Sequence, residues 1–115
     1  MRYLMLIYGP ESDMPPAPEE GRKMMDAYVT FTQDVRERGM MESGEALQPT
    51  TTATTVRVRD GERLITDGPF AEAREQLGGY YLLNCKDLDE ALEYAARIPG
   101  AQHGAVEVRP IMEFA

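Results

Sequence analysis

Three side chains stand out as candidates to move a proton: Asp67, Tyr28 and His103. Asp67 opens the string Asp67-Gly68-Pro69-Phe70, at the end of a β-rich stretch. A carboxylate at a strand end over an apolar cavity can act as a general base. The structural alternative is a turn cap, since Asp ahead of Gly and Pro commonly bonds its own backbone. Tyr28 offers a phenol from an amphipathic segment, or else is a core aromatic with a satisfied hydroxyl. His103, the single histidine, lies in the loop "PGAQHGAV" and is a candidate proton shuttle or a solvated loop residue.

A second set could hold a ligand. Glu107 and Arg109 alternate with Val106 and Val108, so they face away from the core valines. Arg109 can clamp a carboxylate through two parallel hydrogen bonds. Alternatively, the two residues form an ion pair. Glu45 sits in a Gly-interrupted strand and can line the same cavity. Tyr8 and Phe70 complete the substrate-binding set. Glu72, Arg74 and Glu75 make a charged loop suited to the rim or lid of a pocket, or simply to water. No Gly-rich phosphate loop with its lysine is present. One histidine and one cysteine are poor material for a metal site, and neither a metal nor a cofactor is expected.

The bulk properties narrow the partners. With 115 residues the chain is read as one domain, 1–115. A net charge of −8 argues against nucleic acid and against anionic membrane surfaces. Cys85, the single cysteine, permits no intrachain disulfide and reads as a small strand residue. The apolar run Tyr3 to Tyr8 is too short for a signal peptide or a membrane span, so a cytoplasmic location is expected.

These residues need a scaffold, and the chain specifies one. "RYLMLIY" is a strand, with Tyr3, Met5 and Ile7 on one face and Leu4, Leu6 and Tyr8 on the other. A Pro-rich loop follows. A helix is predicted over about Pro18 to Arg38, with Met24, Tyr28, Phe31 and Val35 on one stripe and Gly39 as its stop. "MMESGEALQP" reads as a short strand. Asp60-Gly61 marks a hairpin between Thr54 and Asp67, with Arg57 and Arg59 towards water. "FAEAREQL" reads as an ordered loop with one helical turn. Gly78 and Gly79 lead, through a bulge or a sharp entry, into the strand "GYYLLNC". Asp87 caps a second helix that runs to about Arg97, with Leu88, Ala91, Leu92, Ala95 and Ile98 on its apolar stripe. "GAVEVRP" is the last strand.

The order is a ferredoxin-like βαββαβ, in the α+β class, with an inserted β-hairpin. Both helices of such a sheet lie on one face. Strand one and Tyr80 to Leu83 are apolar on both faces, so the other face needs cover. A second copy related by a two-fold axis supplies it, which predicts a homodimer forming a dimeric α+β barrel. Pockets are then expected between the helix-free sheet face and its flanking loops.

The strings "DGPFAEAREQLGGYYLL", "DLDEALEYAARIP" and "VEVRPI", with "GEALQP" and "TVRVRDGERLITDGPF" upstream, resemble the YciI-like (YCII-related) superfamily in its DGPF-domain branch. The resemblance runs from about Gly39 to Ile111. It implies a ferredoxin-like fold, dimerisation and a pocket with polar residues. Some relatives are thought to use a His–Asp pair there, and one type removes chloride from a chlorinated aromatic. At the position of that first-helix histidine this sequence has Tyr28.

The function expected is binding of a small organic molecule, with proton-transfer or elimination chemistry in which Asp67 is the base and Arg109 the anion clamp. The rival is a non-catalytic binding or regulatory module associated with sigma-factor or other transcriptional machinery, as some relatives of the branch suggest. A cofactor-free oxygenase is an analogy of fold alone.

Overall fold

The computed structural model describes residues 1–12 and 16–114. Part of the Pro-rich loop therefore lies outside the described residues. Six strands and two α-helices follow in the order β1 (Arg2–Gly9), α1 (Pro18–Glu37), β2 (Met41–Ala46), β3 (Thr54–Arg59), β4 (Glu62–Asp67), β5 (Gln76–Asn84), α2 (Leu88–Arg97) and β6 (Ala105–Pro110). Short 3-10 helices span Thr50–Thr52 and Pro99–Gln102.

Four strands form an antiparallel sheet in the order β2-β5-β1-β6, and β3 and β4 form a separate two-stranded sheet. The architecture is α+β and compatible with the ferredoxin-like arrangement.

Local chemistry sets the helix limits. Pro18 opens α1 without a side-chain cap, and Glu19 and Glu20 face the positive end of the helix dipole. Gly39, at φ 71°, closes it. The Gly39 amide donates to the Arg36 carbonyl and the Met40 amide to that of Val35, the paired bonds of a Schellman stop. For α2, Asp87 accepts from the Glu90 amide, while Glu90 accepts from the Lys86 amide.

Register assigns the faces. Tyr3 pairs with Leu83 and Met5 with Tyr81, and this face packs on both helices. Its core joins Tyr3, Met5, Tyr81, Leu83 and Cys85 to Phe31 and Val35 of α1 and to Ala91, Tyr94 and Ala95 of α2. Ile98, just past α2, is fully buried. Phe31 meets Tyr81 edge-on, with ring centroids 5.1 Å apart. On the opposite face, Leu4 pairs with Leu82 and Leu6 with Tyr80. These four side chains remain partly exposed, because neither helix covers them.

Three local expectations are corrected. Ala91, Ala95 and Ile98 of the expected α2 stripe are buried, but Leu88 and Leu92 are exposed and Tyr94 is buried in their stead. Both stripes have helical spacing, and the one with the aromatic faces the sheet, where Arg97 stacks 4.5 Å from the Tyr94 ring centroid. "FAEAREQL" has no helical turn. It bends, and β5 begins at Gln76, with Gly78 as the bulge residue where the register shifts between Ile7 and Tyr8. The hairpin exposes both faces, apolar as well as charged. Its tip has Asp60 at φ 52° and Gly61 at φ 79°, as a two-residue type I′ turn requires.

Candidate functional site

Two glycines on neighbouring strands open the site. Gly44 of β2 pairs with Tyr81, and Gly79 of β5 pairs with Ala46. A Cβ on Gly79 would lie 2.8 Å from the Glu45 carbonyl oxygen, and one on Gly44 would lie 2.9 Å from a Tyr81 ring carbon. With no side chains there, the helix side of the sheet is bare beneath the first half of α1. The result is a cavity of about 690 Å³. That lies within the usual range for small-molecule sites, about 300–1,000 Å³.

Its walls are mainly apolar. Met24 and Met25 come from α1, Ile7 from β1 and Met41 from β2. Methionine walls adapt to the shape of what they enclose and favour aromatic rings. The polar groups are sparse and placed. Tyr28 points its hydroxyl at Gly100, whose backbone bonds to it. Burial pushes the Tyr28 phenol above its ordinary pKa, the Gly100 bond opposes this, and nearby Tyr81 adds a smaller upward push. The phenol therefore stays protonated at neutral pH. Thr32 and Tyr81 share a hydrogen bond of 2.8 Å. Arg36, Gln76 and His103 also sit along the lining. Glu11 also lines the cavity and accepts from both the amide and the hydroxyl of Thr50, which ties the β1 exit to the root of the hairpin.

The structure thus brings Tyr28 and His103 to one cavity; Tyr8 and Glu45 border it from strands whose register turns their side chains to the helix-free face. Asp67, Phe70, Glu107 and Arg109 do not line it. Asp67 ends β4 in solvent, paired across the hairpin with Thr54. Its turn is held by the Gly68 amide donating to the Ala53 carbonyl and by the Thr55 hydroxyl donating to the Gly68 carbonyl. Phe70 is 79% exposed. Arg109 donates to Glu107 at 2.6 Å, on the helix-free face. The cavity also lies on the helix side of the sheet, not on the helix-free side where pockets were expected.

Sequence reasoning missed Gly44, Gly100, Thr32 and Arg36. The signal was available in part, since glycines inside strands mark close approach or missing side chains. Cys85 is buried among core residues, its thiol pushed up chiefly by desolvation, and it takes no part in the cavity. Among the described residues no cluster of His, Cys, Asp and Glu is arranged to hold a metal ion. No helix among them is long and apolar enough to cross a membrane.

Comparison with known proteins places this scaffold. Residues 1–115 match the family described as YCII-related domain. The chain belongs to the YCII-related family. A similar protein is an uncharacterized one from Rhizobium meliloti (strain 1021), 40% identical over 114 residues, covering 96% of this chain and 92% of the relative. For a YCII-related chain the cavity under α1 is therefore the feature from which a role has to be argued, because this relative carries no assigned activity.

Proposed function

We propose that this YCII-related protein, of the DGPF branch, is a cytoplasmic homodimer that binds a small planar organic molecule in the cavity between α1 and the sheet. The observation that carries this reading is the glycine floor. Gly44 and Gly79 leave flat peptide surface beneath methionine walls, in a space of about 690 Å³. A flat, largely apolar ligand fills such a slot, and a few polar groups then fix its orientation.

The chemistry available is proton transfer. Tyr28 donates a hydrogen bond or a proton to an oxygen of the ligand, such as that of a phenol, enol or carboxyl group. His103, at the mouth, exchanges protons with water. Isomerisation or elimination would need little more. Asp67 and Arg109 lie outside the cavity of their own chain, and the Glu45 side chain is on the opposite face of the sheet, so the reading rests on Tyr28 and His103.

The test is a thermal-shift screen of small phenols, enols and carboxylic acids on the wild type and on Tyr28→Phe. A ligand at a hundredfold excess over Kd stabilises the fold by about 2.7 kcal/mol. Hits weakened in the Phe variant support the reading. A blank screen on well-folded protein counts against it.

One observation favours a second reading, a regulatory module bound to transcriptional machinery. The hairpin stands exposed with Val56, Val58, Leu64 and Ile65 uncovered and with Arg57 and Arg59 in solvent. A blank ligand screen combined with specific capture of a transcription component would favour it.

A further inference from the structure

The chain is too extended for its length. Its radius of gyration is 16.2 Å, whereas 115 residues pack compactly at about 13 Å. It exposes 8648 Å², against about 6300 Å² for a compact monomer of this mass. The excess of about 2300 Å² is what one subunit contributes to a large obligate homodimer interface.

Much of the excess belongs to the β3–β4 hairpin. Its strands, six residues each, are about 20 Å long. It shares no strand pairing with the main sheet. An isolated two-stranded hairpin is marginal in water without an apolar face to pack. One face of this hairpin carries an apolar patch: Val56 pairs with Ile65, and Val58 follows on the same side, opposite Arg63. Val56, Ile65 and Val58 are 56%, 56% and 61% exposed.

Charge indicates what the hairpin packs on. Within Thr54–Asp67, Arg57, Arg59 and Arg63 offset Asp60, Glu62 and Asp67, so the segment is neutral. The net charge of −8 therefore lies wholly on the rest of the chain. Two acidic bodies repel each other, whereas a neutral arm laid on an acidic body does not. The occupant that matches in area, apolarity and charge is another molecule of the same protein.

We propose that the hairpin is an exchanged arm. The Val56–Val58–Ile65 face of each copy packs on the body of the other, within the same assembly that covers Leu4, Leu6, Tyr80 and Leu82. This rests on the homodimer stated above but adds a specific contact to it. The arm then clasps the dimer from outside, and being neutral it adds apolar contact without adding to the repulsion between the acidic bodies.

The test is sedimentation velocity over a range of concentrations, on the wild type and on the double variant Val56→Glu, Ile65→Glu. These side chains are exposed in the single chain, so circular dichroism of the variant should match that of the wild type. The arm predicts a dimer whose Kd rises by about tenfold or more in the double variant, because two carboxylates are forced into an apolar contact. It also predicts that the thiol introduced by Val58→Cys reacts slowly with maleimide above the dimer Kd and rapidly below it, with buried Cys85 silent throughout. A dimer of unchanged Kd, with the introduced thiol equally reactive at both concentrations, overturns the arm and leaves the dimer standing. A wild type that is monomeric throughout overturns both.

Discussion

Gly100 and Tyr28 are in contact at the back of the cavity: a Cβ on Gly100 would lie 2.7 Å from the Tyr28 hydroxyl oxygen. The same Cβ would lie 2.8 Å from Cγ2 of Ile7. The absence of a side chain at residue 100 is therefore what lets the phenol seat against that backbone. Gly100→Ala is expected to dislodge Tyr28 and to cost about 1–3 kcal/mol, the usual penalty of overpacking. Urea denaturation measures the loss. A ligand found by thermal shift should bind this variant more weakly, as it should bind Tyr28→Phe.

Gly79→Ala and Gly78→Ala should behave differently although the residues are adjacent. At Gly79 the added carbon meets the Glu45 carbonyl oxygen at 2.8 Å and the Ala46 Cα at 3.3 Å, both backbone atoms. Strands β2 and β5 must part there, at about 1–3 kcal/mol. At Gly78 the nearest atom is the Ile7 carbonyl oxygen at 3.9 Å, and the substitution should be tolerated. Equal midpoints for the two variants in urea would contradict the glycine floor.

Glu11 gives a pH test. Its hydrogen bonds from Thr50 lower its carboxyl pKa in the folded chain. A group with a depressed folded pKa stabilises above its unfolded value, here about 4.3, and the benefit is lost as pH falls through the folded pKa. The melting temperature of the wild type should exceed that of Glu11→Gln at pH 7, and the gap should close in acid. Glu113, lowered by its hydrogen bond to Arg2, has the same sign. A gap that widens in acid would refute the Glu11–Thr50 tie.

The two stripes of α2 can be separated by truncation. Tyr94 is buried and flanked by Arg97 and Arg38. Tyr94→Ala should cost about 3–5 kcal/mol, as large aromatic truncations do. Leu88 and Leu92 are about half exposed, and Leu92→Ala should stay within about 0.5 kcal/mol. Chemical denaturation of both variants decides which stripe faces the core.

Most of the scaffold could be read from residue spacing, because local rules fix it. Pro18 and Gly39 bracket α1, Asp87 caps α2, and Asp60-Gly61 makes the hairpin turn. Alternation correctly separated Tyr3 and Met5 from Leu4 and Leu6. The failures came where distant segments decide. The period of α2 permits Leu88–Leu92 or Ala91–Tyr94–Ala95 to face inward, and only the shape of the sheet selects between them. The cavity was hidden for the same reason. It depends on Gly44 and Gly79 coming together across β2 and β5, and no spacing along the chain expresses that register. The helix stripe put Tyr28 on the face of α1 turned to the sheet, and the family resemblance made it a site candidate. Gly100, which seats it, comes from a distant loop.

The strand order sets the order of assembly. β1 lies between β5 and β6, which follow it by about 70 to 100 residues in the chain. During synthesis it waits with Leu4, Met5 and Leu6 unpaired until β5 and β6 have emerged. Early helix α1 can form alone, but it has no sheet to rest on. Long-range pairing of this kind slows folding and leaves apolar strand exposed meanwhile. The central sheet of this chain therefore cannot close until β5 and β6 are available to pair with β1 on both sides. Circular permutants that move β1 beside β5 and β6 in sequence would shorten that wait.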